Sequence, residues 1–169
     1  MELVEAAKKL ILSKNYPEAL KLLNKEVSQD SENSDAWYYK AILSLRLKNY
    51  DNAHEFLERA AMIKSKPEYY KLMGVAHMEI YEIEDALIDF QKAINLDKKD
   101  FAIYFFVAIC YLFINDPRSK GYIQAAYLLD KKKTKELAKS FYNAFFKNSS
   151  FLDNPIKKEV EQVIENIPA

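Results

Sequence analysis

The sequence predicts an all-α fold, an α-α superhelix of about four helix hairpins followed by extra C-terminal helices. Apolar residues recur at helical spacing along the chain, which indicates amphipathic helices. The 169 residues include only two glycines and five prolines, so few positions favour the tight turns that join strands. Small residues also recur with a period of about 34 residues, which indicates a repeated unit. They are Ala7, Ala41, Gly74 and Ala108.

Three hairpins of equal size are predicted over the segment that ends at Ala93. Within a hairpin, a short interruption separates two helical patterns, as at residues 15–17 and 81–83. Polar or proline-containing segments at 30–34 and 66–67 separate one hairpin from the next. The predicted helices cover 2–14, a segment from Ala19 to Val27, one from Trp37 to near Asn49, one from Tyr50 to Ala60, and both halves of 70–93.

The fourth hairpin departs from this spacing. Its first helix is predicted to stop at residues 115–117, because Pro117 biases the preceding residue away from helical conformation. Its second helix is predicted to restart at Gly121. Ala125 lies roughly five residues later than a period of about 34 residues counted from Ala86 would place it. The extra length falls in the connecting loop.

Two further amphipathic helices are predicted beyond the fourth hairpin. Proline suits the first turn of a helix, so Pro155 is predicted to open the last one, which we expect to cover the open end of the stack. The first helix spans 135–147 with Leu137, Phe141, Ala144 and Phe145 on its apolar side; the second places Ile156, Val160, Val163 and Ile164 on one side.

The fixed order of residue types within each unit resembles the tetratricopeptide repeat, TPR, a helix hairpin of about 34 residues. Each repeat offers a large residue, a small residue and, in the second helix, an alanine. The large residues are Leu3, Trp37, Tyr70 and Tyr104, and the second-helix alanines are Ala19, Ala53, Ala86 and Ala125. The resemblance implies repeats at approximately 1–33, 34–66, 67–100 and 101–133, with capping helices over 134–169, in a single domain of residues 1–169.

The first and fourth repeats depart from the TPR pattern. The alanine that closes a repeat is present as Ala60 and Ala93, but Glu26 and Lys132 stand at the matching positions of the outer repeats. Terminal repeats are often atypical in this way. The resemblance is therefore clearest for the two middle repeats.

Composition excludes several classes of protein. The 25 basic and 25 acidic residues cancel, so broad electrostatic attraction to nucleic acid or to an anionic membrane is not expected. Cys110 is the only cysteine, which rules out an intrachain disulfide and disfavours a cysteine-based zinc site. The longest apolar run, 101–114, is shorter than the roughly 18 residues of a membrane span, and the N-terminus is acidic where a secretory leader is basic. We therefore expect a cytoplasmic protein.

The TPR resemblance implies a concave groove formed by the first helix of each repeat, which is the commonest binding surface of the family. Here the groove positions are apolar and aromatic, which suits an amphipathic helix or an extended apolar segment held by burial. The implied function is a non-catalytic scaffold or adaptor for protein-protein interaction. The groove residues are Tyr38, Tyr39, Ile42, Leu72, Val75, Met78, Phe105, Phe106, Ile109 and Phe113.

The residues do not support one role of the family, the clamp for the C-terminal carboxylate of Hsp70 or Hsp90 chaperones. That clamp needs Lys, Asn and Arg donors in three successive first helices, because several charge-assisted hydrogen bonds must meet the carboxylate. Only Lys8 could donate among the matching residues, and Glu68 would repel the anion. The matching residues are Val4, Lys8, Tyr39, Glu68 and Leu72.

Three alternatives stay open. The predicted helices at 135–147 or 155–166 could lie in the groove themselves, since large apolar patches are rarely left in water. The groove face could instead join copies of the chain in a homo-oligomer. The segment from Lys131 to Lys139 could contact nucleic-acid phosphates, although the zero net charge favours solvated lysines near a helix end, where cations interact favourably with the helix dipole.

No catalytic site, metal site or cofactor site is predicted. His54 and His77 lie on different predicted helices, with no acid or thiol at ligand spacing, so both are interpreted as structural. Cys110 is interpreted as a small buried apolar residue. The sequence contains no glycine-rich phosphate loop, nucleophile elbow or paired-carboxylate motif.

Overall fold

The computed structural model describes residues 2–146, and this part of the chain folds into nine α-helices and one π-helical turn. The predicted all-α fold of helix hairpins is confirmed. The predicted helix at 155–166 lies outside the described residues. The elements are α1 Glu2–Leu12, α2 Tyr16–Gln29, α3 Ser34–Arg46, α4 Tyr50–Ile63, α5 Pro67–Glu79, α6 Ile83–Leu96, α7 Phe101–Phe113, α8 Arg118–Leu129, α9 Lys131–Phe141 and the π-helical turn Tyr142–Phe146.

The chain divides into two compact units, here called the N-terminal unit, Met1–Leu96, and the C-terminal unit, Asp97–Ala169. In the N-terminal unit α1 packs with α2, α3 with α4 and α5 with α6, and the hairpins meet through α2 with α3 and α4 with α5. In the C-terminal unit α7 packs with α8, and α9 contacts both. None of the helices within 2–146 is long and apolar enough to cross a membrane. That residues 1–169 form a single domain stays a prediction.

The small residues that define the period lie where helices approach closely. Ala7 and Ala41 have no exposed surface, Ala108 has 1%, and Gly74 is also buried. At Gly74 the approach is closest, because an added Cβ would lie 2.6 Å from the ring of Phe90 on α6. These residues are small because the facing helix leaves no room for a longer side chain.

Each hairpin turn repeats one backbone device that the residue types do not reveal. One non-glycine residue per turn adopts the left-handed conformation, with φ between 54° and 64°. The next residue donates its N–H to the carbonyl five positions earlier, at 2.8 to 2.9 Å, which closes the helix in a Schellman motif. The left-handed residues, one in each repeat, are Lys14, Lys48, Tyr81 and Asn115.

Side-chain caps fix where several helices begin. Asn33 accepts a hydrogen bond from the N–H of Ala36 at the start of α3, and Asp100 accepts one from Ala102 at the start of α7. Trp37 then donates its indole N–H to the carbonyl of Ser31, at 2.8 Å, which holds the preceding loop against α3. Caps of this kind satisfy backbone N–H groups that have no partner within the helix.

The C-terminal unit differs from the prediction in register. The helix α8 begins at Arg118, three residues before the predicted restart at Gly121, because Asp116 accepts hydrogen bonds from both the backbone and the guanidinium of Arg118. Ala126, and not the predicted Ala125, is the fully buried alanine of α8.

The helix predicted at 135–147 begins four residues earlier and ends at Phe141, before the π-helical turn. Asp130 ends α8 and caps α9 by accepting the N–H of Lys133, so the two helices are separated by a single residue. Thr134, fully buried, donates its hydroxyl to the carbonyl of Ala126 at 2.9 Å. Residues 131–133 therefore belong to α9 and not to the fourth hairpin.

Candidate functional site

The first helices of the N-terminal unit present a row of half-buried apolar and aromatic side chains, here called the first-helix face. Five of the ten predicted groove residues lie on it, all with part of their surface exposed. The rings of Tyr38 and Tyr39 meet edge to face at 5.3 Å. The members of the face are Tyr38, Tyr39 and Ile42 on α3, with Leu72 and Val75 on α5.

The inner edges of this face are anchored in the core. Tyr38 and Leu72 pack against a buried cluster that includes Tyr69 and Met73, and the rings of Tyr38 and Tyr69 lie 5.0 Å apart. Tyr39 packs against a second buried cluster, formed by Val4, Ala7, Leu23 and Ala36. The exposed edges are therefore held in fixed positions, which lowers the entropy cost of binding.

Charges around the face disfavour an anionic ligand. Burial, with added repulsion from Tyr39 and Glu68, raises the pKa of Tyr38 to about 12, so its hydroxyl is neutral at pH 7. Lys8, the one predicted donor, is bonded to Glu5 at 2.9 Å and lies 5.4 Å above the ring of Tyr39. Its charge is thus already matched by a neighbouring carboxylate.

A polar network supports Tyr69 beneath the face. Its hydroxyl lies 2.8 Å from a carboxylate oxygen of Asp35 and 3.1 Å from the hydroxyl of Ser34, and Lys66 is paired with the same carboxylate. Partial burial alone would raise the pKa of Asp35, but the hydrogen bonds from Lys66 and Tyr69 outweigh it and the pKa is lowered. The sequence analysis missed this network, because its members come from two successive repeats and carry no motif.

The lowered pKa of Asp35 predicts a specific loss of stability in acid. A group with a depressed folded-state pKa stabilises the fold above its ordinary pKa, here 3.8, and loses that contribution as the pH falls through its folded-state pKa. Below pH 4 the unfolding free energy of the wild type should therefore fall more steeply than that of Asp35→Asn. Denaturant unfolding from pH 7 to pH 2 measures both, and parallel curves would contradict the assignment.

The groove residues predicted on α7 are covered in large part by the chain itself. Phe105 and Ile109 are 2% and 3% exposed, while Phe106 and Phe113 are half-buried. Phe141 of α9 packs edge-on against Phe105 at 5.8 Å and Phe106 at 6.4 Å. For α7, therefore, the alternative in which a C-terminal helix of the chain lies against the predicted groove residues holds.

Met78, predicted as a groove residue on α5, is also buried, with 5% of its surface exposed. It lies one turn beyond Val75 on α5. As the structure stands, Met78 contributes to packing and offers almost no surface to a ligand.

The two histidines come together on the N-terminal unit, which the sequence analysis did not predict. Their rings lie 5.0 Å apart beside a cleft of about 380 Å³, and His77 Nδ1 lies 3.0 Å from the buried carboxylate of Asp89. Across residues 2–146, no group of three or more His, Cys, Asp or Glu side chains is placed to hold a metal ion. Burial raises the pKa of Cys110 to about 12, so this thiol is not ionised at pH 7.

Comparison with known proteins agrees with the repeat geometry. A family model described as tetratricopeptide repeat matches residues 10–75. A TPR repeat-containing protein of Methanocaldococcus jannaschii is 34% identical over 103 residues, which is 60% of this chain and 18% of that protein. Residues 10–75 therefore belong to the tetratricopeptide repeat family. The chain spans less than a fifth of the curated relative that it matches.

Solved structures of TPR proteins share its fold. A crystal structure of MamA superposes with a TM-score of 0.71 at 13% identity, covering 95% of this chain and 91% of MamA. YrrB, described as having an unusual peptide-binding site, gives 0.69 at 18% identity, covering 99% and 85%. The first TPR domain of Spaghetti (RPAP3), solved with the HSP90 peptide SRMEEVD, gives 0.64 at 21% identity, covering 68% and 91%. At these identities the likeness concerns the fold alone.

Proposed function

We propose that this protein is a non-catalytic interaction scaffold that binds an apolar segment of a partner protein on the first-helix face. The observation that carries this proposal is the row of half-buried aromatic and aliphatic side chains, Tyr38 to Val75, whose inner edges are fixed by two core clusters. A ligand that covers them gains about 25 cal/mol for each Å² of apolar surface removed from water. An amphipathic helix or an extended apolar segment provides such surface.

The chemistry of the face separates this proposal from recognition of an acidic peptide. The peptide bound to the Spaghetti domain, SRMEEVD, carries three acidic residues. Here Tyr39 and Leu72 stand at two of the matching positions, Lys8 is paired with Glu5, and Glu68 lies close enough to Tyr38 to raise its pKa. A desolvated carboxylate at this face would lack the several donors that it needs.

The site proposed here is smaller than the predicted groove. Phe105, Ile109 and Met78 are buried and are left out, and the ring of Phe106 is packed against Phe141. Tyr39 and Leu72 are retained as the central pair, because both are half-buried and each packs on a different core cluster.

The double variant Tyr39→Ala/Leu72→Ala should lose partner capture while keeping its helices. Truncation of a central contact residue costs about 1–3 kcal/mol of binding, so two together should weaken capture by at least roughly tenfold. Affinity capture from the native cell identifies the partner, and calorimetry with that partner measures the loss. Circular dichroism checks that the helical content is unchanged.

The matched control is Leu12→Ala/Met62→Ala, which removes two apolar side chains that are 84% and 86% exposed on the same unit and are not members of the face. It should bind the partner like the wild type. Retained capture by a folded Tyr39→Ala/Leu72→Ala variant would refute the proposal. A concentration-dependent dimer that this variant abolishes would assign the face to self-association instead.

A further inference from the structure

Three of the five lysines of α9 stand at the unfavourable end of their helix. Lys131, Lys132 and Lys133 occupy the first turn, which has no acidic residue. The sequence analysis expected the lysines from 131 to 139 near a helix end that favours cations. This was wrong for these three, because Asp130 caps α9 immediately before them, whereas Lys139 does lie in the last turn. The N-terminus of a helix is the positive end of its dipole, so cations there lower helix stability. Lys133 is compensated by Asp130, at 3.1 Å, and Lys131 lies 5.6 Å above the ring of Tyr127.

Three lysines form a stripe along one flank of α9, where Lys131 and Lys139 are exposed and Lys135 is half-buried. Lys131, Lys135 and Lys139 are spaced four residues apart and so lie on one side of the helix over about 12 Å. Thr134 and Ala138 lie on the inner side, where both are buried. Like charges at this spacing repel one another, so the stripe is a second cost to the helix.

Exposed leucines adjoin the start of the stripe. Leu128 and Leu129, in the last turn of α8, are 77% and 40% exposed and precede Lys131 by two or three residues. The surrounding residues 97–146 carry nine basic and five acidic side chains, although the whole chain is neutral. The result is a mixed cationic and aliphatic area, here called the α9 surface.

We propose that the α9 surface binds an acidic polypeptide segment that carries aliphatic side chains. Its lysines match in spacing a helix with Glu or Asp every four residues, and its leucines match the aliphatic part of such a helix. Features that break a local stability rule are commonly retained for binding. This surface lies on the C-terminal unit, so the inference is independent of the first-helix face.

Two other polyanions fit this surface less well. Single-stranded nucleic acid is bound by basic side chains together with aromatic rings on which bases stack. Phe141, the one aromatic residue of α9, is 6% exposed and packs on α7, so it offers no such platform. The ring of Tyr127 on α8 is half-buried and already faced by Lys131 at 5.6 Å. An anionic membrane attracts clusters of four to eight basic residues whatever their spacing, and here Asp130 and Glu136 offset part of the charge of the five lysines of α9.

The test uses the full chain and a labelled synthetic peptide of about 15 residues with Glu at every fourth position and leucines beside them. Fluorescence anisotropy should show binding that weakens from about 0.02 M to about 0.3 M salt, since screening is stronger at high salt. The triple variant Lys131→Glu/Lys135→Glu/Lys139→Glu should bind at least roughly tenfold more weakly. Its unfolding midpoint should change little, because like charges remain at the same spacing, and the acid placed in the favourable first turn is offset by the acid placed in the last turn.

The control variant is Lys9→Glu/Lys21→Glu/Lys25→Glu, which makes the same change in net charge with exposed lysines of α1 and α2. It should bind the peptide like the wild type. Leu128→Ser should weaken binding at high salt, where the aliphatic contact is the larger part. Three results would each overturn the proposal. The first is an equal loss of peptide binding in both triple variants, and the second is equal binding of a peptide with the same composition in scrambled order. The third is tighter binding of oligo-dT or of phosphatidylserine vesicles than of the peptide.

Discussion

Gly74→Ala should destabilise the N-terminal unit by up to about 2 kcal/mol, although alanine favours helices more than glycine does. The new Cβ would lie 2.6, 2.7 and 2.9 Å from three ring carbons of Phe90, closer than such atoms approach. Phe90 has no exposed surface, so its ring cannot move into solvent. Overpacking of this kind costs about 1–3 kcal/mol, which exceeds the gain of about 1 kcal/mol in helix propensity.

The other glycine of the chain provides the matched control. Gly121 lies within α8, is exposed, and has nothing within 4 Å of an added Cβ. Gly121→Ala should therefore stabilise its unit by about 1 kcal/mol, the full helix-propensity difference. Denaturant unfolding of both variants measures the change in unfolding free energy, which should be negative for Gly74→Ala and positive for Gly121→Ala. Phe90→Leu should recover part of the loss in Gly74→Ala, and a Gly74→Ala variant more stable than wild type would contradict the close approach.

The fold was predictable because close helix contacts restrict residue size. A position without room for a side chain accepts only Gly or Ala, so the contacts of Ala7, Ala41, Gly74 and Ala108 leave a mark in the sequence at every repeat. The left-handed turn residues recur just as regularly, but they are two lysines, Lys14 and Lys48, with Tyr81 and Asn115, so no single residue type identifies them. Their conformation accompanies the Schellman hydrogen bond, which the following residue donates from its backbone and which therefore requires no particular side chain.

The candidate site was predictable only in part, because exposure depends on what covers a residue. Tyr38 and Phe105 are both large aromatic residues on first helices, yet one is half-buried and the other is covered by Phe141. The prediction of where the first three lysines lie along their helix was wrong for a related reason. Only one residue, Asp130, separates α8 from α9, and helical periodicity alone does not locate a break of one residue between two helices.

Asn33→Asp should destabilise the N-terminal unit by about 2–3 kcal/mol at pH 7, although aspartate is normally as good a helix cap as asparagine. Asn33 accepts the N–H of Ala36 with its side-chain oxygen and donates its amide to the carboxylate of Glu26 at 2.7 Å. Glu26 is 7% exposed and stands where the TPR pattern has its closing alanine. The amide thus offsets the departure of the first repeat from that pattern. An aspartate would keep the cap but place a second carboxylate against Glu26.

The asparagine that caps α4 shows what the same change does without a neighbouring acid at that distance. Asn49 is exposed and accepts the N–H of Asn52 at 3.2 Å. Asn49→Asp should be neutral or stabilising by about 0.3–1 kcal/mol, since an anion is favoured at a helix N-terminus. The penalty of Asn33→Asp should be smaller at pH 4 than at pH 7, because a proton added between two facing carboxylates removes their repulsion. Urea unfolding at pH 7 and pH 4 tests this, and a penalty independent of pH would show that the amide of Asn33 matters for its shape and not for the charge of Glu26.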